Sequence, residues 1–175
     1  MAEARLPWQL ARAGAWPRLQ GLLAAPPFFR LAWENDEFEV KAYWAQIEDN
    51  SPLRLAAAYR DVLADPAQYE ANYVWEVAVL LADTGHPEEA LALRAYLVEH
   101  YRQAGDREGL AVCLGGQALI LSDRGDQDGA MALHQEQERL CRELGNKDGL
   151  AQTLGKQALI LYARGDQGSI RAAVV

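Results

Sequence analysis

The string GLAVCLGGQALIL, residues 109–121, returns almost unchanged as GLAQTLGKQALIL, residues 149–161. Ten of the thirteen positions are identical, and the offset is 40 residues. The turn residues 125–127, Gly-Asp-Gln, recur at the same offset as residues 165–167. Self-similarity at a fixed period of this length predicts an array of repeats. A more diverged copy precedes these two, with Gly85, Ala90 and Leu93 standing 40 residues before Gly125, Ala130 and Leu133.

Each unit of this array is predicted to be a pair of helices. Apolar residues between Leu110 and Leu121 recur at helical spacing, and Gly125-Asp126 supplies a stop followed by a cap for the next helix. A second apolar series from Ala130 to Leu144 follows in steps of three and four. Because the loops are short, neighbouring helices run antiparallel, and one hairpin buries its apolar stripe only by stacking on the next. The sequence therefore predicts an all-α fold.

With these positions aligned, the chain resembles the tetratricopeptide repeat family, in a unit longer than the usual ~34 residues. The family's small residue in the first helix falls on Ala78, Ala118 and Ala158, and its small residue in the second helix falls on Ala90 and Ala130. The resemblance implies a right-handed superhelical array of antiparallel helix pairs. The large apolar position late in the first helix falls on Leu81, Leu121 and Leu161.

The chain departs from the family pattern at several positions. The tryptophan-type position holds Val74, Leu114 and Leu154, and the aromatic position of the second helix holds Arg94 and His134. The unit length is closer to the repeats of kinesin light chains and of bacterial multidomain signalling proteins. Kinesin light chains place asparagines where this chain has other residues, so their peptide specificity is not carried over. Those residues are Gly115, Gly116, Gly155 and Lys156.

Residues 1–69 do not share the period and are predicted to form a helical capping or linker region. Residues 6–23 and 37–47 resemble the segment that follows the nucleotide-binding core of STAND-type signalling ATPases. Ser51-Pro52 and Asp65-Pro66 are both cap-then-proline pairs, and they predict helices over residues 52–63 and 66–82.

The predicted organisation has three parts. The N-terminal region, residues 1–69, is followed by repeats and then by a tail, residues 168–175, that does not resemble the second helix of a unit. We therefore expect the array to stop after the first helix of its third unit, as in an excised piece of a longer array. The repeats are assigned to residues 70–106, residues 107–146 and the incomplete residues 147–167.

Composition limits the classes of partner. A net charge of −8 without a basic stripe argues against nucleic acid and against anionic membrane surfaces. No apolar run approaches the ~20 residues of a membrane span. Arg5, Pro7 and Arg12 interrupt the N-terminal apolar residues, so no signal peptide is predicted and we expect a cytoplasmic protein.

The residues that carry chemistry elsewhere do not converge here. Cys113 and Cys141 are interpreted as small buried hydrophobes. His134 and Glu138 stand one helical turn apart, but two metal ligands without a third favour a solvated helix face. No nucleophile, base and oxyanion site assembles, so we expect neither an enzyme nor a bound metal or cofactor.

If the units stack as the resemblance implies, their first helices line a concave surface, which we expect to bind a protein or peptide. Gly115 and Gly155 either open this surface to a partner's backbone or permit close helix packing. The candidate residues are Asn72, Trp75, Val79, Val112, Gly115, Leu119, Ser122, Gln152, Lys156, Leu159 and Tyr162.

Two functions remain open from the sequence. The first is a sensor or scaffold segment of a STAND-like signalling protein. The second is a structural module that forms a homodimer through its incomplete last repeat, because apolar residues of that helix would lack the next hairpin. The residues predicted for self-association are Leu150, Leu154, Ala158 and Leu161.

Overall fold

The computed structural model describes residues 6–165, and within this range it contains eleven α-helices, one short 3-10 helix and no strand. The all-α prediction is confirmed at this level, and the predicted tail, residues 168–175, lies outside the described residues. The α-helices are α1 Leu6–Arg12, α2 Trp16–Ala24, α3 Pro26–Asn35, α4 Glu37–Asn50, α5 Leu55–Ala58, α6 Arg60–Ala64, α7 Ala71–Asp83, α8 Pro87–Ala104, α9 Arg107–Asp123, α10 Gln127–Leu144 and α11 Lys147–Ala163.

The chain divides into two compact units, the first ending at Leu93 and the second beginning at Arg94. The division falls inside α8. The sequence places the boundary between a capping region and the repeats at residues 69 and 70, where the 40-residue repeat begins. The division into compact units does not test that boundary, which stays a prediction.

Aromatic packing holds the first unit together. The Phe29 ring lies 5.4 Å from that of Trp33, 5.9 Å from that of Tyr59 and 5.5 Å from that of Tyr73, measured between centroids. The Tyr59 hydroxyl donates to the carbonyl of Leu23 at 3.1 Å, so this buried side chain keeps its polar atom satisfied. These four aromatic side chains are buried and form part of the core of the first unit.

The helix predicted over residues 52–63 forms only in part, because α5 begins at Leu55 and Tyr59 separates it from α6. Ser51 does not cap this helix. The Ser51 hydroxyl donates back to the carbonyl of Ile47 at 2.6 Å and accepts the Leu53 N–H at 3.2 Å, so it closes the end of α4. The carboxylate of Glu48 accepts the N–H of Leu55, the first residue of α5, at 2.8 Å. A carboxylate seven residues upstream thus takes the role predicted for the serine.

The helix predicted over residues 66–82 is also interrupted. Pro66–Gln68 forms a single 3-10 turn, and α7 begins only at Ala71. The Asp65 carboxylate accepts from the side-chain amide of Gln68 at 3.2 Å and makes no capping bond to the backbone. Without that cap the proline starts a turn that does not propagate.

The second unit consists of the end of α8 with α9, α10 and α11, and α10 packs against both α9 and α11. Only Arg124–Asp126 separates α9 from α10, and only Gly145-Asn146 separates α10 from α11. Turns this short make packed neighbours antiparallel. Two of the three small positions predicted in this unit, Ala118 and Ala130, are fully buried in one cluster with Ile160, whereas Ala158 is half-buried.

The same type of N-cap begins all three complete helices of this unit. The side chains of Asp106, Asp126 and Asn146 accept the N–H of the residue three positions on at 2.9, 2.9 and 2.8 Å. That residue is a glycine each time, and a β-carbon on Gly109 would lie 2.8 Å from Asp106 Oδ2. The residue before each capping side chain is also a glycine, and it ends the previous helix with a positive φ, which is +85° at Gly125 and +68° at Gly145.

Replacing the cap of α10 gives a direct measure of this type of N-cap. Asp126→Ala is expected to lower the free energy of unfolding by about 0.5–2 kcal/mol, because the Gly129 N–H loses its acceptor. Asp126→Asn is expected to retain most of the stability, since Asn146 performs the same task for α11. Urea denaturation measures both variants. Equal losses for Ala and Asn would show that the side-chain acceptor is not the source of the stability.

Candidate binding groove

A hollow of about 560 Å³ lies between α9 and α11, with α10 as its floor. Five residues predicted for the concave surface line it, namely Val112, Gly115, Leu119, Gln152 and Lys156. A second hollow of about 230 Å³ shares Leu119 and Lys156 with the first and adds Ser122 and Leu159, which were also predicted. We call the two hollows together the α9–α11 groove.

The rim of the groove exposes large apolar side chains. Val112 is 55% exposed, Leu119 40% and Leu159 64%, and Tyr162 on the same helix as Leu159 is 73% exposed. Leu119 and Leu159 are equivalent residues of successive units, one on each wall. Apolar side chains exposed together mark a contact surface more often than single ones do.

The floor of the groove carries a buried polar network. Nδ1 of His134 lies 3.1 Å from Oε1 of Gln137, and the His134 side chain is 2% exposed. The buried amide of Gln157 on α11 donates to the carbonyl of His134 at 3.1 Å and to Oε2 of Glu138 at 2.8 Å. Glu138 in turn accepts from Arg142 at 2.6 Å. These contacts join α11 to α10.

The expectation that His134 lies on a solvated face is wrong. The side chain is buried, and burial lowers the pKa of the ring, the Gln137 hydrogen bond opposes that shift and the charge of Lys156 adds to it. Sequence reasoning missed this role because a histidine and a glutamate one turn apart look the same on either face of a helix. The glutamine shared by both copies, Gln117 and Gln157, was the available signal.

Gly115 and Gly155 are equivalent in sequence but differ in surroundings. A β-carbon on Gly115 would lie 2.5 Å from Nε2 of Gln137, whereas a β-carbon on Gly155 would meet no atom within 4 Å. Gly115 therefore permits close packing of an α10 side chain, and Gly155 leaves the surface open. Each of the two sequence interpretations holds for one of the two glycines.

Gly116 and Lys156, the next pair of equivalent residues, also differ in their surroundings. A β-carbon on Gly116 would lie 2.7 Å from Cζ of the buried Arg94. One unit later the equivalents of Arg94 and Gly116 are His134 and Lys156. Each pair thus contains one long cation, which belongs to the second helix of a unit in the first pair and is buried, and to the first helix of a unit in the second pair and is exposed.

The two cysteines are buried, as predicted. Burial raises the pKa of the Cys113 thiol to about 11 against the opposing charge of Arg94, and burial also raises the pKa of Cys141. Both thiols are therefore protonated at neutral pH, which suits packing and not nucleophilic attack.

The remaining predicted residues lie outside the groove lining. Asn72, Trp75 and Val79 belong to α7 in the first unit, where Asn72 is exposed and the other two are half-buried. The four residues predicted for self-association are each half-buried on α11, although Leu110, Leu114 and Ala118 are buried at the equivalent positions of α9. The four residues are Leu150, Leu154, Ala158 and Leu161.

Within residues 6–165, no group of three or more His, Cys, Asp or Glu side chains is placed to hold a metal ion. None of the helices in the same range is both long enough and apolar enough to cross a membrane. The polar side chains that line the groove are mainly amides and single charges.

Alanine at the two equivalent glycines separates packing from helix propensity. Gly155→Ala is expected to raise the free energy of unfolding by about 0.5–1 kcal/mol, because alanine favours the helix and the site is open. Gly115→Ala is expected to gain less, since Gln137 has to move and loses its contact with His134. Urea denaturation compares the two variants, and equal gains would contradict the packing assigned to Gly115.

Replacing the Arg94 and Gly116 pair by the residues of the His134 and Lys156 pair tests whether such a pair has room for only one long cation. Gly116→Lys alone is expected to cost about 1–3 kcal/mol of stability, because the new side chain and Arg94 compete for one space. Adding Arg94→His recreates the His134 and Lys156 pair and is expected to recover most of that loss. A double-mutant cycle, with Arg94→His as the other single variant, measures the coupling free energy between residues 94 and 116. Purely additive effects on stability would show that the two side chains do not compete for one space.

Comparison with protein-family models and with curated proteins returns no match for this chain.

Proposed function

We propose that this chain is a non-enzymatic protein-interaction module that holds a peptide or a protein segment in the α9–α11 groove. The observation that carries the proposal is that seven residues, chosen by assuming the stacking that the family resemblance implies, line the two adjoining hollows of this groove. Its larger setting is a sensor or scaffold segment of a STAND-like signalling protein. Support for that setting comes from the resemblance of residues 6–23 and 37–47.

The same proposal includes the finer architecture. Helices α9, α10 and α11 are successive antiparallel neighbours, and α9 and α11 are the two copies of one sequence. Repetition of that step supports a right-handed superhelical array of the tetratricopeptide type, with the N-terminal helices as its cap. In such an array the first helices form a continuous inner surface to which the groove belongs.

The dimensions of the groove suit an extended segment. The wall from Glu108 to Asp123 on α9 spans about 22 Å at the rise of an α-helix. An extended chain covers that distance with about seven residues. Gln152 and Gln137 present amide groups along the way, which are able to pair with a backbone of any sequence.

Selection from a display library of random linear peptides, somewhat longer than seven residues, tests the proposal. We expect peptides that bind the full chain and lose binding to a Val112→Arg/Gln152→Arg variant, because both residues are exposed on the groove walls. Ala132→Arg/Gln135→Arg is the matched control, since both residues are exposed on α10 and neither lines the groove. Peptides that bind both variants equally, or no selected peptide, would refute the groove as the binding site.

A second function is favoured by a different observation. Leu150, Leu154 and Ala158 are half-buried on α11, whereas their equivalents on α9 are buried. Covering aliphatic surface yields about 25 cal/mol per Å², so a second copy of α11 is a favourable partner for this face. We propose self-assembly through this helix as the alternative.

Light scattering over a wide concentration range tests the alternative. A dimer that Leu154→Glu converts to a monomer would support it, provided that circular dichroism shows an unchanged helix content. Val112→Glu adds the same charge on the groove side, and it is expected to leave the dimer intact. A wild-type chain that stays monomeric throughout the range would exclude self-assembly.

A further inference from the structure

Charges along the α9–α11 groove follow an order that narrows the class of ligand. Glu108 and Asp148 lie at the end of the groove where α9 and α11 begin, and Asp123 lies at the opposite end. Lys156 lines both hollows and therefore stands between these acidic ends. A single positive charge is thus flanked by negative charges along the axis of the groove.

These groove charges lack partners of opposite sign inside the described part of the chain. No ion pair within residues 6–165 involves Lys156, Glu108, Asp123 or Asp148. Several other charges of the same unit are paired, for example Arg102 with Glu136 at 3.0 Å and Arg107 with Glu143 at 3.2 Å. The four groove charges remain available to a ligand.

Lys156 is the most informative of the four. Glu108 and Asp148 occupy first turns, where a carboxylate also stabilises its own helix. Lys156 stands in the middle of α11, far from the helix end where a cation would have that role. Its position in the other copy is glycine, so the helix itself does not require a lysine there.

Spacing along α11 sets the register of a bound chain. Asp148 and Lys156 are separated by eight residues, which is about 12 Å along a helix. An extended peptide covers that distance with about four residues, and side chains at even separations point to the same side. Two peptide side chains about four positions apart are therefore able to face Asp148 and Lys156 together.

We propose that the groove selects an extended peptide segment with one acidic side chain flanked on both sides by basic ones. The acidic side chain pairs with Lys156, and the basic side chains pair with Glu108 and Asp148 at one end and with Asp123 at the other. Apolar side chains between them lie against Val112, Leu119 and Leu159. This inference rests on the proposed function of the groove and adds the chemistry of its ligand.

Charge reversal combined with the random-peptide library tests the inference. Peptides selected on the wild-type chain are expected to carry Asp or Glu with Lys or Arg about four positions away. On Lys156→Glu they are expected to bind about tenfold more weakly, and selection on that variant is expected to replace the central acid by a base. Glu108→Lys/Asp148→Lys is expected to select an acidic residue at the position of one flanking base.

Arg139→Glu is the control for net charge, because Arg139 is exposed on α10 away from the groove and undergoes the same reversal. It is expected to leave both affinity and selected sequences unchanged. Groove-dependent peptides without the charge order, or peptides indifferent to Lys156→Glu, would overturn this inference and leave the proposed function standing. The absence of any groove-dependent peptide would overturn both.

Discussion

The buried side-chain amide of Gln157 joins α11 to α10, and the shape of the second unit depends on that contact. Its nitrogen donates to a main-chain carbonyl at His134 and to the carboxylate of Glu138, in a position that is 6% exposed. A buried amide left without partners costs about 1–3 kcal/mol, so these two hydrogen bonds favour the observed position of α11 on α10. That position determines the space between α9 and α11 in which the groove lies.

Repetition supplies the walls of the groove, and the differences between copies supply its chemistry. Leu119 and Leu159 place the same apolar residue on both walls, whereas Val112 corresponds to Gln152 and Gly116 corresponds to Lys156. The two walls of the groove therefore differ in polarity and charge, although α9 and α11 are copies of one sequence.

Most of the second unit follows from the sequence, because local signals there agree with packing. Glycines with positive φ, capping side chains and apolar periodicity all indicate the same helix ends, and seven predicted residues line one groove. The start of α5 was not predictable, since its acceptor is Glu48 from another helix. The role of Gln137 was missed for a related reason, because its equivalent in the previous unit is Leu97 and no repeated glutamine drew attention to it.

Native-state hydrogen exchange on the full chain tests most directly whether α11 is seated on α10 as one cooperative element. Backbone amides from Thr153 to Ile160 are expected to open together with those of α10, because the Gln157 network links the two helices. Gln157→Ala is expected to speed exchange in α11 while α9 and α10 keep their protection. Fast exchange of α11 in the wild-type chain, independent of α10, would contradict a preformed groove.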